Sequence, residues 1–124
     1  MPVRGIRGAT TVDENTPRAV LQATRELLDS IKTANPTLQS EDIASIFFTL
    51  TADLNAVYPA QAAREMGWDG VPLMDALEIP VPGSLQKCIR VLIHWNTTKP
   101  QNQVNHVYLR NAVKLRPDLS KTTR

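Results

Sequence analysis

Residues 87–95 read Lys87-Cys88-Ile89-Arg90-Val91-Leu92-Ile93-His94-Trp95. The run has the apolar density of a strand, with an arginine at its middle. A strand sends successive side chains to opposite faces. Ile89, Val91, Ile93 and Trp95 therefore share one face, which reads as core. Cys88, Arg90, Leu92 and His94 share the other, where a guanidinium stands among apolar neighbours. A charge in such a setting is costly to bury unless it meets a partner. The partner is either a carboxylate of the protein or an anionic ligand.

Working outward, residues 3–11 alternate small and β-branched side chains around Arg4 and Arg7 and read as a strand running into a loop. Gly5 and Gly8 within it point to a bulge or a close backbone approach. Thr16-Pro17 is a helix start, with Thr as cap and Pro at the first helical position. Val20, Thr24, Leu27, Leu28 and Ile31 follow with helical spacing, and Arg18, Arg25, Glu26, Asp29 and Lys32 fall largely on the other side. Asn35-Pro36 ends this helix, the longest element. A short turn at residues 40–42 precedes a buried strand over residues 43–50. Residues 59–66 read as a short helix stopped by Gly67. Residues 71–79 read as a strand and loop closed by Pro80, and Pro82-Gly83 as a turn. After the opening strand comes a polar loop at residues 97–103. Residues 107–109 and 112–115 read as short extended pieces around Arg110-Asn111. Pro117 ends regular structure, and residues 118–124 are expected to be a mobile tail. The order β-α-β-α-β-β-β predicts an α+β fold, a mixed sheet with one long helix across a face. The strand exits that so small a sheet leaves open suggest an oligomer.

With 124 residues the chain is expected to form a single domain over 1–124. Its 42% apolar and 21% charged residues are those of an ordinary soluble globular protein. A net charge of +2, without a basic stripe and interleaved aromatics, argues against nucleic acid. One cysteine excludes an internal disulfide, and two distant histidines, His94 and His106, give no zinc pattern. No apolar run approaches a membrane span. The start, MPVRGIRGATTVDE, lacks a signal-peptide core, so the cytoplasm is the expected location. There is no Gly-rich phosphate loop and no GxSxG elbow. Cys88, His94 and His106 read more readily as structural than as reactive groups.

What remains is a set of arginines in strand-like surroundings: Arg7, Arg64, Arg90 and Arg116. Arginine captures carboxylates in a planar, bidentate way. A surface charge or an internal ion pair explains Arg64 and Arg116 equally well. It explains Arg7 and Arg90 less well, because their segments are too apolar for solvated faces. Glu78, also in an apolar context, is either an ion-pair partner for one of these arginines or a ligand acceptor. Tyr108 fits a core position with a wet hydroxyl.

Five segments carry a resemblance. VRGIRGATTV (3–12), ADLNAVYPAQAAREMG (52–67), VPLMDALEI (71–79), KCIRVLIHWNT (87–97) and HVYLRNAVKLRPDL (106–119), in that order, resemble the monofunctional chorismate mutases of the trimeric, α/β-barrel-like type. The likeness runs from Val3 to Ser120 and is not to the all-helical chorismate mutases. It implies a homotrimer forming a pseudo-α/β-barrel with active sites between subunits. It implies the concerted [3,3] rearrangement of chorismate to prephenate, on the route to phenylalanine and tyrosine, without cofactor or metal. It implies that Arg90 faces the ether oxygen of the breaking bond and that Arg7 lies near that bridge and a carboxylate. Glu78 would accept from the ring hydroxyl, and Tyr108 would contact the side-chain carboxylate. Leu73, Met74 and Asp75, with Ala76 and Leu77 beyond them, match the stretch lining the ring. Tyr58, Arg64, Leu115 and Arg116 match rim positions. Two positions depart from the pattern: Asp75 stands where a family member has cysteine, and Gln61 where it has lysine. An acid at 75 would either share the ring hydroxyl with Glu78 or weaken dianion binding, and the lost cation at 61 would reduce attraction at the rim. A pericyclic reaction requires no nucleophile, base or metal. It requires a flexible dianion held in its reactive chair and cations where charge develops. Two other classes stay open: an imine-hydrolysing trimer of the reactive-intermediate deaminase kind, and a non-catalytic carboxylate-binding trimer.

Overall fold

In a computed structural model, which describes residues 1–115, the opening stretch becomes the middle strand of a five-stranded sheet. The strands are β1 (Val3–Thr11), β2 (Ile43–Leu50), β3 (Leu73–Leu77), β4 (Cys88–Asn96) and β5 (Val107–Tyr108), in the order β3-β2-β4-β1-β5. β4 runs antiparallel to β1 and to β2, while β2–β3 and β1–β5 are parallel pairs. The sheet is therefore mixed, as the element order predicts. Ile89, Val91, Ile93 and Trp95 are all buried, and Arg90 and Leu92 face outward. Cys88, on the outward row, is nonetheless buried.

The helix α1 (Pro17–Ala34) covers the inner face. Thr16 starts it by accepting the Ala19 N–H at 3.2 Å on its side-chain oxygen. Its buried stripe is Val20, Ala23, Thr24, Leu27, Leu28 and Ile31. Thr24 belongs there because its hydroxyl donates to the Val20 carbonyl at 2.7 Å, which removes the penalty of a buried polar group. Burying a side chain such as Leu27 or Ile31 contributes about 1.5–3 kcal/mol. α1 sits close on β1 because residue 8 has no side chain: a Cβ there would meet Ile31 Cδ1 at 2.9 Å and Val91 Cγ1 at 3.0 Å. The close approach expected of Gly8 is thus present. The register irregularity lies elsewhere, between Ile43 and Ser45 of β2. At the far end of α1, Asn35 donates to the carbonyls of Ile31 and Asn105, tying the helix end to the segment that leads into β5. The short helix α2 (Ala60–Glu65) buries three alanines, packs against α1 and β3, and stops before Gly67, whose φ is +90°.

Three boundaries differ from expectation. The second helix is trimmed to residues 60–65, and the strand expected over 71–79 pairs only over 73–77. The extended piece expected at residues 112–115 is part of a 3-10 helix, Arg110–Lys114. The Leu109 N–H still donates to Ala9, one step beyond β5. Arg110 then takes a φ of +52°, which turns the chain out of the sheet and buries Ala112. An apolar run this short reads equally well as strand or helix. The expected tail at 118–124 and Arg116 lie outside the described residues. Among those described, no helix is long and apolar enough to cross a membrane.

Candidate active site

Directly opposed residues of a sheet share a face. Arg90 opposes Ala9 on β1 and Thr49 on β2, and Leu92 opposes Arg7 and Phe47. Tyr108 pairs with Ala9 from the other side of β1. The face away from α1 thus gathers Arg7, Arg90, Thr49 and Tyr108 around a small alanine. They line an open cavity of about 280 Å³ together with Gly8, Phe47, Val91 and Leu92.

Glu78 reaches the same face from the end of β3. Its N–H donates to the Leu50 carbonyl at 2.9 Å, which continues the β2–β3 ladder by one residue. One carboxylate oxygen, Oε1, lies 3.5 Å from Arg90 Nε, and the other accepts from the Thr49 hydroxyl. The Arg90 side chain is 47% exposed and that of Glu78 22%. An ion pair this open contributes roughly 0–1 kcal/mol, so it does not lock Arg90 away from an incoming anion. Arg7 is anchored through its backbone, whose N–H donates to His106 Nδ1 at 2.9 Å. Arg7 and Arg90 are both exposed, and among the described residues no element covers this side of the sheet. The buried part of the apolar setting read from their segments belongs to the opposite face, while Leu92 and Phe47 stand beside them on this one.

The other candidates separate from this group. Leu73 is half-buried against the core, whereas Met74 is 58% exposed and pairs with Phe47 on the open face. Asp75 leaves β3 on the side opposite Glu78. Its Oδ1 accepts the Ala60 N–H at 3.1 Å, at the first turn of α2, where Pro59 offers no side-chain cap of its own. Burial pushes the Asp75 carboxyl up from its ordinary value, partly countered by the Ala60 hydrogen bond and the Arg64 guanidinium. The sharing of one hydroxyl by Asp75 and Glu78 therefore has no basis within a protomer: the carboxylate at 75 is turned to the helix. Tyr58, Asp75, Ala76 and Leu77 line a second cavity of about 670 Å³, with Leu50, Leu54 and Val57 among its walls. Arg64 sits on α2, as the helical reading of its segment requires, and not in a strand-like setting. Gln61 donates to Glu65 at 3.0 Å along the same helix. Leu115 closes the last turn of the described chain on Ala112.

Burial pushes the Cys88 thiol up, with Arg90 pulling the other way, which fits a structural residue and not a nucleophile. His94 meets the Ser45 hydroxyl at 3.0 Å and the Phe47 ring edge-on. Among the described residues, no three His, Cys, Asp or Glu side chains cluster to hold a metal. The sequence reading missed Thr49, Phe47 and Leu92 as site residues. The signal was present: in residues 46–49 every second side chain, Phe47 and Thr49, falls on the face of Arg90.

A family model described as chorismate mutase type I matches residues 3–119. The chain is 58% identical over 117 residues to chorismate mutase AroH of Thermus thermophilus, covering 94% of this chain and 96% of the relative. It is 49% identical over 123 residues to chorismate mutase AroH of Bacillus subtilis (strain 168), covering 98% and 96%. Its fold is similar to that of a solved chorismate mutase from Clostridium thermocellum, with a TM-score of 0.85 and 51% identity over 87% of this chain and 96% of that one.

Proposed function

The chain belongs to the chorismate mutase type I family, and on that premise we propose that it converts chorismate to prephenate on the open sheet face, with Arg90, Arg7 and Glu78 as its working groups. The activity is that of an isomerase in aromatic amino-acid biosynthesis. The reading of the site rests on one observation above the others: Arg7, Arg90 and Tyr108, from three separate strands, line one cavity, and Glu78, just past the end of β3, reaches Arg90 there.

In the rearrangement one C–O bond breaks as one C–C bond forms, and no proton is transferred. Negative charge grows on the ether oxygen as the C–O bond lengthens. A guanidinium fixed at that oxygen stabilises the transition state more than the ground state, which is the condition for a higher rate. The register of β4 supports this reading, because two neighbouring strands flank Arg90 and fix its Cα. Arg7 and Tyr108 offer further donors for the carboxylates of the dianion, and Glu78 an acceptor for the ring hydroxyl. Together they hold the extended chain of the substrate folded over its ring, an orientation effect. Met74, Ala76 and Leu77, with Tyr58 and Arg64, belong to the ring-lining and rim positions of the family pattern, and Leu73, Leu115 and Arg116 are assigned with them on the same ground.

We assign the whole of residues 1–124 to one catalytic domain acting in the cytoplasm as a homotrimer with sites between subunits. A cavity of about 280 Å³ lies just under the range of roughly 300–1,000 Å³ usual for small-molecule sites. A neighbouring copy placed over the open face deepens it and excludes water. The test is incubation with chorismate, following the loss of its ultraviolet absorbance. Rapid loss with formation of prephenate is expected. Binding without turnover would favour a carboxylate-binding trimer instead.

A further inference from the structure

We propose that Thr49 is a positioning residue for this reaction: its hydroxyl holds Glu78 at one edge of the Arg90 guanidinium and so keeps the other edge free for substrate. The proposal rests on the roles given above to Arg90 and Glu78. Thr49 stands directly opposite Arg90 in the β2–β4 ladder, and both line the same cavity. Its hydroxyl donates to Glu78 Oε2, while Oε1 faces Arg90 at Nε, 3.5 Å away. The backbone around the carboxylate is already fixed, because the Glu78 N–H is bonded to Leu50, the neighbour of Thr49. What the hydroxyl adds is control of the side-chain torsions.

That control has a chemical consequence. A guanidinium has five N–H donors in a rigid fork, and a free carboxylate takes two of them in parallel. Without a competing donor, Glu78 is drawn to present both oxygens to Arg90. That bidentate pair occupies the donors meant for the ether oxygen and removes the acceptor meant for the ring hydroxyl. Thr49 engages Oε2 with a neutral donor that does not compete for the substrate. It thereby keeps Arg90 and Glu78 adjacent but only partly engaged.

The test is a cycle of Thr49→Val, Glu78→Gln and the double variant, with Thr49→Ser and Thr49→Ala alongside. Valine keeps the shape and suits a strand, so the fold should persist. Serine restores the donor. Loss of a hydrogen bond to a charged group predicts a fall in kcat/KM of about tenfold for Thr49→Val, shared between a higher KM and a lower kcat. Thr49→Ala should fall alike, and Thr49→Ser should recover most of the loss. In the Glu78→Gln background Thr49→Val should cost little more, because the freed carboxylate no longer exists. An equal tenfold loss in that background, or no rescue by serine, overturns the role of Thr49 while leaving that of Glu78 intact. If Glu78→Gln alone leaves turnover unchanged, the reading of the site fails, and the proposal with it.

Discussion

At the scale of single residues, the site separates side chains that stabilise charge from those that hold the scaffold. Under the proposed function Arg90 is of the first kind. Its open face leaves the side chain 47% exposed, while Ile89 and Val91 on either side remain in the core. Removing it should therefore spare the fold and collapse the rate. Loss of one preorganised donor typically costs about 10²–10³-fold, or roughly 2.7–4 kcal/mol, and a full charge should reach or exceed that range. Arg90→Lys restores charge without the planar fork and should recover activity only in part. Citrulline at position 90 keeps the shape but not the charge, and near-normal turnover with it would refute electrostatic stabilisation by this group. Asp75 belongs to the second kind. Burial makes its native carboxyl hold a proton more readily than the unfolded chain does. An ionised Asp75 therefore costs stability at neutral pH. That penalty fades as pH falls through the raised native value and is gone below the unfolded value, about 3.9. Asp75→Asn keeps an acceptor for the Ala60 N–H and should be more stable than the parent at pH 7, with the gap closing toward about pH 4. Denaturant midpoints across that range decide it, and a gap independent of pH would remove burial as the cause. Arg90 was legible in the sequence because a cation interrupts an apolar alternation. The role of Asp75 was not, because its partner is a backbone amide on a helix fifteen positions earlier, which no side-chain pattern reveals.

At the scale of elements, β1 and α1 show how a strand can serve the site on one face and the core on the other. Gly5 and Gly8 lie three apart and so face opposite ways. A side chain at 8 enters the packed seam of Ile31, Leu27 and Val91, while a Cβ at 5 meets only Leu92 Cδ1 at 3.5 Å, an ordinary contact. Gly8→Val should therefore destabilise by about 1–3 kcal/mol through overpacking, more than the entropy gained in losing a glycine can offset. Gly5→Ala should be neutral or stabilise by up to about 1 kcal/mol. Urea unfolding at one fixed protein concentration compares the two, and equal effects would deny the close approach of α1 to β1. Much of this architecture could be read beforehand. The long helix was marked at both ends, by Thr16-Pro17 and by Asn35-Pro36, and β4 by its alternation. The 3-10 helix after β5 could not be read, since its cause is one left-handed backbone at Arg110, a residue type with no preference for that conformation. The partners of the site were equally hidden. Thr49 and Phe47 become neighbours of Arg90 and Leu92 only through a register set by long-range pairing.

At the scale of the whole molecule, the sheet has one face that the described elements cover and one that they leave open. α1 closes the first. On the second, Leu92, Phe47 and Met74 stand side by side across β4, β2 and β3, at 37, 39 and 58% exposure. An apolar row beside a cavity with two arginines is unsuited to water, and contiguous exposed apolar surface marks an interaction site. The residues of the family pattern are also split, with Arg7, Arg90 and Tyr108 at one cavity and Tyr58, Asp75 and Leu77 at another. Copies related by a closed rotation each present one surface to a different surface of the next, which can bring two such sets together. A homotrimer is accordingly expected, with a solution mass three times that of the 13.8 kDa chain. Met74→Lys places a charge in the row without entering the arginine cavity. It should give monomers by light scattering that keep their secondary structure and lose turnover. A variant that stays trimeric and active would show that the interface does not use this row. A parent protein that is fully active as a stable monomer at micromolar concentration would refute intersubunit sites altogether. The open face would then have to bind and orient the dianion alone, with Arg90 still half in water, where the same charge stabilises an ether oxygen far less.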